Sequence, residues 1–529
     1  MSNVNGNLVA SNMVSIVPQN GTEFDVNAGQ KVIFEIDPSV GLLKGRDSYL
    51  VFDVLNNSSD YKRIALDSTA GVDGLISRVD IYSLRTGKHL ETMENYNQFM
   101  SLANQYYFED KTNIQSLQGC GNKVFVQENT GGGASVVEPN VSLVEDAILS
   151  PIANQGGTDN GKPVYNFRRF VTPLKCGIFR YWDDERLCPV MAFQGLRIEL
   201  TLENPKVCSH NMNARKSDES VLDIVDSAGA GGLAVQDNQA GANILGDDAI
   251  TVANTGLAIG NEVAIHYVDA GAVNQVHNTT IAGMQQQGGD PTKVQFTLGD
   301  NLPAGNKTAT KIFLRNDTRA LKVRPQFRLM KVAPTDDVIK EMSKGINYSF
   351  TSYDYFVDSL LNNVRKHLIE LNSVATKAVC VMTTFSDTTQ IEENLFSSYF
   401  VGDNPDELNM NSIQYFLNGR LAPVRSYDPR NNSEKIIALN ELNKALTTLN
   451  LEPKDLGNTD GKNIEIYSNV FAVARQLARR GYYYNLRDAE GQIRLGFSGN
   501  RTNNMQTNTF VWSVKIASVD ANGEINIIQ

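Results

Sequence analysis

Apolar and polar residues alternate with a period of two in many short runs along this chain. In KVIFEID, Val32, Phe34 and Ile36 alternate, and YLVFDVL over residues 49–55 is β-branched and aromatic, so two strands are expected in quick succession. Over 196–203, Ile198, Leu200 and Leu202 oppose Arg197, Glu199, Thr201 and Glu203. Residues 510–517 repeat the pattern, with Phe510, Trp512, Val514 and Ile516 on the side expected to face a core. Both segments predict half-buried strands. Helical spacing is rare. It is confined to 96–107, to a short stretch opened by Thr335 and Asp336 after Pro334, and to 433–449, where Leu439, Leu442, Leu446 and Leu449 share a face. Many short strands, turn-rich connections and few helices predict an all-β chain of sandwiches rather than alternating βαβ units.

At 529 residues the chain is long enough for two or three compact units. Residues 1–22 are rich in Asn, Ser, Val and Gly with weak periodicity, which predicts a flexible arm rather than a strand. Composition shifts between Lys206 and Arg315. SAGAGGLAVQDNQAGANILGDD, over 227–248, precedes the strand-like EVAIHYVD and KVQFTL, in which Val294, Phe296 and Leu298 alternate. A structureless loop of this length does not belong inside a compact domain, so 206–315 is expected to be a β-rich insertion with a mobile entrance over 227–248.

Composition narrows the function. The chain is 41% hydrophobic and 20% charged, ordinary globular material. Its 59 acidic and 48 basic residues give a net charge of −11 with no block of five like charges, so no basic stripe is available to displace counterions, and direct binding of nucleic acid is not expected. MSNVNGNLVASNMVSIVPQNG lacks a basic segment followed by an apolar run, and no stretch is apolar for long enough to span a bilayer, so a soluble protein made in the cytosol is expected. Five cysteines, Cys120, Cys176, Cys188, Cys208 and Cys380, are an odd number without regular spacing, which favours reduced thiols over a disulfide framework.

Candidate chemistry is thin. In GGTDNGKP, Gly156, Gly161 and Lys162 stand at phosphate-loop spacing, but Pro163 replaces the hydroxyl residue that would bind magnesium, and a surface turn is the expected reading. His89, His210, His266, His277 and His367 show no metal-ligand spacing, and Cys208 with His210 is at most half a site. Asp183, Asp184 and Glu185 lie between Arg180 and Arg186, which reads as charge compensation in a loop before it reads as an acid/base pair. RRGYYYNL, over 479–486, mixes basic and aromatic residues as single-strand binders do. Tyrosines packed at a sheet edge or a subunit contact explain the same run. No catalytic residue, cofactor or metal is expected.

Two longer segments carry a resemblance. The first, over 71–105, places Leu75, Ile76, Val79, Ile81, Gly87 and Tyr96 in a strand, a Gly turn, a second short strand and an aromatic-rich helix. The second, over 172–205, places Phe179, Trp182, Leu187, Pro189, Ala192, Gln194 and Ile198 in an aromatic segment, a polar turn, a Leu-x-Pro-Val-x-Ala-Phe-Gln run and an alternating strand. In this order they resemble the double jelly-roll major capsid proteins of nucleocytoplasmic large DNA viruses, virophages and polinton-like viruses. FRLMKVAPTDDVIKEMSKG from Phe327 is similar to that family's closing strand and linker helix. HLIELNSVATKAVCVM, IQYFLNGRLAPVRSYDP and NTFVWSVKIASV extend the match more loosely, and only 206–315 is longer than the usual connection.

The resemblance implies a first jelly roll over 23–205 and 316–335, an outer tower over 206–315, and a linker helix with a second jelly roll over 336–529. It implies a structural protein rather than an enzyme, forming pseudo-hexameric homotrimers in an icosahedral double-stranded DNA virus shell. Implied partners are neighbouring capsomers, penton proteins and minor capsid or cement proteins, with an inner membrane left open. The implied location is the virion, assembled in the cytoplasm or nucleus of the host cell. A β-sandwich carbohydrate-binding or adhesion protein is the competing reading, since fold alone does not assign function.

Overall fold

The computed structural model describes residues 11–57, 64–67, 70–106, 118–119, 127–130, 134–137, 148–149, 158–159, 162–163, 167–182, 186–211, 222–225, 233–235, 244–246, 259, 262–269, 274–286, 294–298, 307–314, 320–387, 408–449, 472–478, 482–488, 490–500 and 504–529. Eight principal strands build the first half: β1 Ser11–Ile16, β2 Lys31–Ile36, β3 Tyr49–Asn56, β4 Ile76–Ser83, β5 His89–Glu94, β6 Phe167–Pro173, β7 Leu196–Leu202 and β8 Leu321–Val332. They pair in two antiparallel sheets, β1-β8-β3-β6 and β2-β7-β4-β5. This is the order of a jelly roll, in which consecutive strands cross from one sheet to the other except at the β4–β5 hairpin. The alternating residues do what their pattern predicts. Val32, Phe34, Ile36, Leu196, Ile198, Leu200 and Leu202 are all fully buried, while Glu199 on the other face of β7 holds Lys31 of β2 at 2.7 Å.

The second half repeats that order. Its strands are β9 Ile346–Leu360, β10 Lys366–Glu370, β11 Ala378–Asp387, β12 Met410–Leu417, β13 Arg420–Tyr427, β14 Ala472–Gln476, β15 Gly491–Phe497 and β16 Met505–Val519. They form the sheets β9-β16-β11-β14 and β10-β15-β12-β13, the first-half numbers each raised by eight. Helices repeat as well: α1, Tyr96–Tyr106, follows the fifth strand of the first roll, and α3, Asn432–Thr447, follows the fifth strand of the second. Leu442, Leu446 and Leu449 of the predicted leucine face are buried, and Leu439 packs against the core half-exposed. Between the rolls, α2, Asp336–Met342, starts just after Pro334 with Asp336 and Asp337 in its first turn, where carboxylates suit the helix dipole.

Three expectations are corrected. The arm expected over 1–22 is, from residue 11, part of the first roll: β1 pairs in register with β8 from Ser11 opposite Val332 to Ile16 opposite Phe327. Its side chains are mostly exposed, so backbone pairing to a long neighbour holds it and no apolar periodicity marks it. Residues 1–10 lie outside the described residues. The insertion, placed from Lys206, starts after 211. Asn204 caps a one-turn helix at Pro205–Cys208, Cys208 is fully buried in the main core, and Ser209–Asn211 pairs with Ile64–Leu66. The mobile entrance over 227–248 contains two strands, Leu233–Val235 and Ile244–Gly246, that pair with Lys307–Leu314 and Val294–Leu298.

The insertion closes on itself. Leu222–Val225 pairs with Ile244–Gly246, which leads through Val294–Leu298, Asn274–Gln286, Glu262–Asp269 and Lys307–Leu314 back to Leu222–Val225. Ring closure satisfies strand edges that an open sheet would leave bare. Val263, Ile265, Tyr267, Ile281, Phe296, Leu298 and Ile312 are its buried apolar residues among those described.

Candidate functional site: the seam between the rolls

The expectation that Phe510, Trp512, Val514 and Ile516 fill the core of the second roll with the other face wet is also corrected. Phe510 and Trp512 are fully buried but Val514 and Ile516 only half-buried, while Val511, Ser513, Lys515 and Ala517 on the alternate positions of β16 are buried, so the strand is covered on both faces. Phe510 and Trp512 face the first roll. Phe99 of α1 lies 5.4 Å from Phe510, 4.8 Å from Trp512 and 5.5 Å from Tyr353 of β9. Trp182 stands 5.2 Å from Trp512 and 5.6 Å from Phe99, nearly edge-on to both. Such tilted and edge-to-face packing suits ring quadrupoles, and one continuous apolar core runs from the first roll into the second through it.

Polar groups fasten the rim of this cluster. Glu91 of β5 is buried, and its carboxylate accepts the backbone N–H groups of Gly177 at 2.9 Å and Ile178 at 2.7 Å. Tyr348 of β9 returns a hydroxyl to the Ile178 carbonyl at 2.8 Å, and Arg180 donates to the Ser349 carbonyl. Tyr353 donates to the Glu94 carbonyl at 2.8 Å, Gln98 to Thr384 at 3.1 Å and Gln194 to the Gly523 carbonyl at 3.1 Å. Gly177 is required here, since a Cβ would sit 2.2 Å from the Thr351 carbonyl oxygen of the second roll. Burial pushes the Glu91 carboxyl up, against the Ser352 hydroxyl, the two backbone donors and the Lys515 charge, which pull it down. Sequence reading passed over Glu91. The available signal was a carboxylate in HLETME on the same side of the strand as Met93, which is itself fully buried.

Beneath Trp182 lies a buried ion pair between Lys175 and Asp73, joined by the Thr172 hydroxyl at 2.8 Å and the Asn104 amide at 3.2 Å. The Trp182 indole N–H donates to the Lys175 carbonyl at 3.1 Å, and the Tyr96 hydroxyl accepts from the Lys175 N–H at 3.1 Å. A pair this deep has no route to a dissolved substrate and serves packing. Breaking either partner would strand a charge in the core.

The sequence-level candidates do not converge. In the phosphate-loop-like segment, Thr158–Asp159 pairs with Lys162–Pro163 as a tight hairpin, and the next described element is strand β6; Gly156 and Gly161 lie outside the described residues. Asp183, Asp184 and Glu185 also lie outside them. Arg180 belongs to the seam, 5.6 Å over the Tyr348 ring, and Arg186 is exposed. His89 sits 2.6 Å from the Thr92 hydroxyl beside Asp80, and His367 lies 3.5 Å from Asp358. His210 and His266 are on strands of different units, and His277 is half-buried. Among the described residues no three His, Cys, Asp or Glu side chains form a metal-binding group. Cys176, Cys188, Cys208 and Cys380 are buried free thiols. Burial pushes Cys380 up to about 12 and Cys176 and Cys188 well up, the opposite of nucleophile activation. Of the tyrosine run, Tyr482 and Tyr483 are exposed and Tyr484 exchanges backbone hydrogen bonds with Ala378 at the start of β11. Arg479, Arg480 and Gly481 lie outside the described residues.

Two jelly rolls of one topology, fused through a shared core, are therefore the class of fold this chain defines. Solved structures similar to it include the Faustovirus major capsid protein, at 10% identity over 98% of this chain and 92% of that one with a TM-score of 0.48. The PBCV-1 virus capsid is similar at 10% identity, 100% and 98% coverage and a TM-score of 0.46, and the mavirus major capsid protein at 10% identity, 98% and 90% coverage and a TM-score of 0.38. No protein-family model and no curated protein sequence matches the chain.

Two outcomes follow for the seam. Trp512→Ala should cost about 3–5 kcal/mol in denaturant unfolding, the usual loss for a large buried aromatic. Trp512→Phe should cost far less, because the buried indole N–H has no acceptor among the described residues to lose; equal losses would contradict this packing. Because the Glu91 pKa is raised on folding, the stability linked to its protonation is full below its ordinary value and is lost as pH rises through the raised one. Glu91→Gln cannot titrate. Calorimetric melting between about pH 4 and 8 should therefore show a decline in the wild type that the variant lacks, and a pH-independent difference between the two would contradict it.

Proposed function

We propose that this protein is the major capsid protein of an icosahedral double-stranded DNA virus, a structural building block rather than a catalyst. The observation that carries the reading is the repeated strand order: one chain holds two jelly rolls of the same topology, locked together by a desolvated seam. A rigid pair of like modules is what a pseudo-hexameric unit needs, because three copies about a three-fold axis present six equivalent modules to a six-coordinated lattice position. The sequence segments over 71–105 and 172–205 support the same reading, and they fall on α1, Trp182 and the strands that make the seam.

In this reading the functional unit is a homotrimer, and the closed β insertion forms a tower that interrupts the first roll between its seventh and eighth strands. Neighbouring capsomers, penton proteins and minor capsid or cement proteins are the partners, and the virion is the location. The domain limits become 11–211 with 320–335 for the first roll, 222–314 for the tower and 336–529 for the linker helix and second roll.

Purified protein should run as a stable trimer of three times 58.2 kDa, since obligate interfaces of this kind bury well over about 2,000 Å². Light scattering after gel filtration measures this directly. A monomer whose mass does not change with concentration would overturn the capsomer reading.

A further inference from the structure

We propose that the outer face of the β10-β15-β12 sheet is a self-complementary contact on which a second copy of this chain, in a neighbouring capsomer, docks about a two-fold axis. The inference rests on the capsomer reading and adds the surface that joins one capsomer to the next.

A groove of about 930 Å³ crosses this face, lined by Arg365, Lys366 and Arg494 together with Ser412, Gln414 and Gly496, and among the described residues no carboxylate lines it. Beside it lies a depression of about 430 Å³ lined by Glu370, Asp488 and Glu490, with Arg487 as the one cation among the described residues. Gln492 borders both. In a chain with 59 acidic and 48 basic residues, such sorting of charge on one sheet face is not expected from composition. Among the described residues none of these seven charged side chains takes part in an ion pair, so their charges are not cancelled within the face.

Register fixes the arrangement. Lys366 stands opposite Gly496, Leu368 opposite Arg494 and Glu370 opposite Gln492. Alternate residues of a strand share a face, so Lys366, Leu368 and Glu370 form one row, its charged ends about 13 Å apart. Gly496 keeps the basic groove open between Lys366 and β12, since a Cβ there would lie 2.4 Å from the Ser412 hydroxyl. Each half also exposes an apolar side chain: Leu368 in the basic groove is 42% exposed and Val374 in the acidic one 59%.

A face with one basic and one acidic end matches itself when a second copy is turned end for end, which is the isologous contact of a two-fold axis. A three-fold contact joins two different patches and does not need this symmetry. The ends steer the approach, and like ends repel in any other orientation.

The test uses the full-length protein and four exposed positions. One variant carries Arg365→Glu and Lys366→Glu, and a second carries Glu370→Lys and Glu490→Lys. Both should remain trimers with wild-type melting curves. Sedimentation velocity at low ionic strength should show wild-type trimers associating further, and each variant alone doing so at least about tenfold more weakly. An equimolar mixture of the two, or one chain with all four substitutions, should regain the association. With Leu368→Cys added, oxidation should link chains of the mixture across this face, which the same chains without Leu368→Cys should not do. If the mixture sediments as separate trimers, or Leu368→Cys fails to cross-link, the proposed contact is wrong while the capsomer reading stands. If the wild-type chain is a monomer, the capsomer reading itself has failed.

Discussion

The structure depends on removing water from one seam. Phe99, Trp182, Tyr353, Phe510 and Trp512 come from a helix, a loop and two strands that are far apart in the chain, and they meet within a few ångströms of one another. Each ring's burial requires both rolls to be present. A linker alone would leave two sandwiches free to turn, whereas this shared core makes them one body. The Glu91 clamp on Gly177 and Ile178 then sets the approach, because the buried carboxylate is costly unless both backbone donors reach it, and the Ile178 carbonyl so placed accepts the second roll's Tyr348 hydroxyl.

Around that seam the chain is a duplicated object. The same eight-strand order occurs twice, each with a helix after its fifth strand, and what distinguishes the halves is inserted where it disturbs the order least. The closed barrel between β7 and β8 is such an insertion. It returns the chain to the same sandwich and keeps its own buried residues, so it adds surface without altering the roll beneath. Charge follows a similar logic on the second roll. Several cations of the first roll's described surface are spent on nearby carboxylates, as Lys31 is on Glu199 and Arg169 on Asp53, while among the described residues the charges on the outer face of β10 and β15 form no ion pair.

Much of this was legible in the residues. Period-two runs marked β2, β3 and β7, leucine spacing marked α3, and Pro334 with Asp336 marked α2, because each buries one side or starts a helix by purely local rules. The segments around Tyr96 and Trp182 pointed to a double jelly roll. What stayed hidden depends on partners distant in sequence. β1 leaves its side chains in water and is held by backbone pairing to β8, so no periodicity could mark it. β16 reads as half-buried because Ser513 and Lys515 look solvent-facing, yet Lys515 is paired with Asp354 at 2.9 Å inside the protein. The duplication is invisible because strand order is a property of pairing. The charged grooves were missed for the same reason: Lys366, Arg494 and Glu370 come together only through the β10-β15 register.

In the proposed capsomer the two welded rolls of each chain supply one third of a hexagon's outline, so that three chains close a six-sided block. Negative-stain electron microscopy of the purified protein tests this most directly. The account predicts compact particles with a nearly hexagonal outline and three-fold symmetry, each with three protrusions from the β insertions. Elongated two-lobed particles of variable bend, with no three-fold class, would contradict both the rigid seam and the capsomer built upon it.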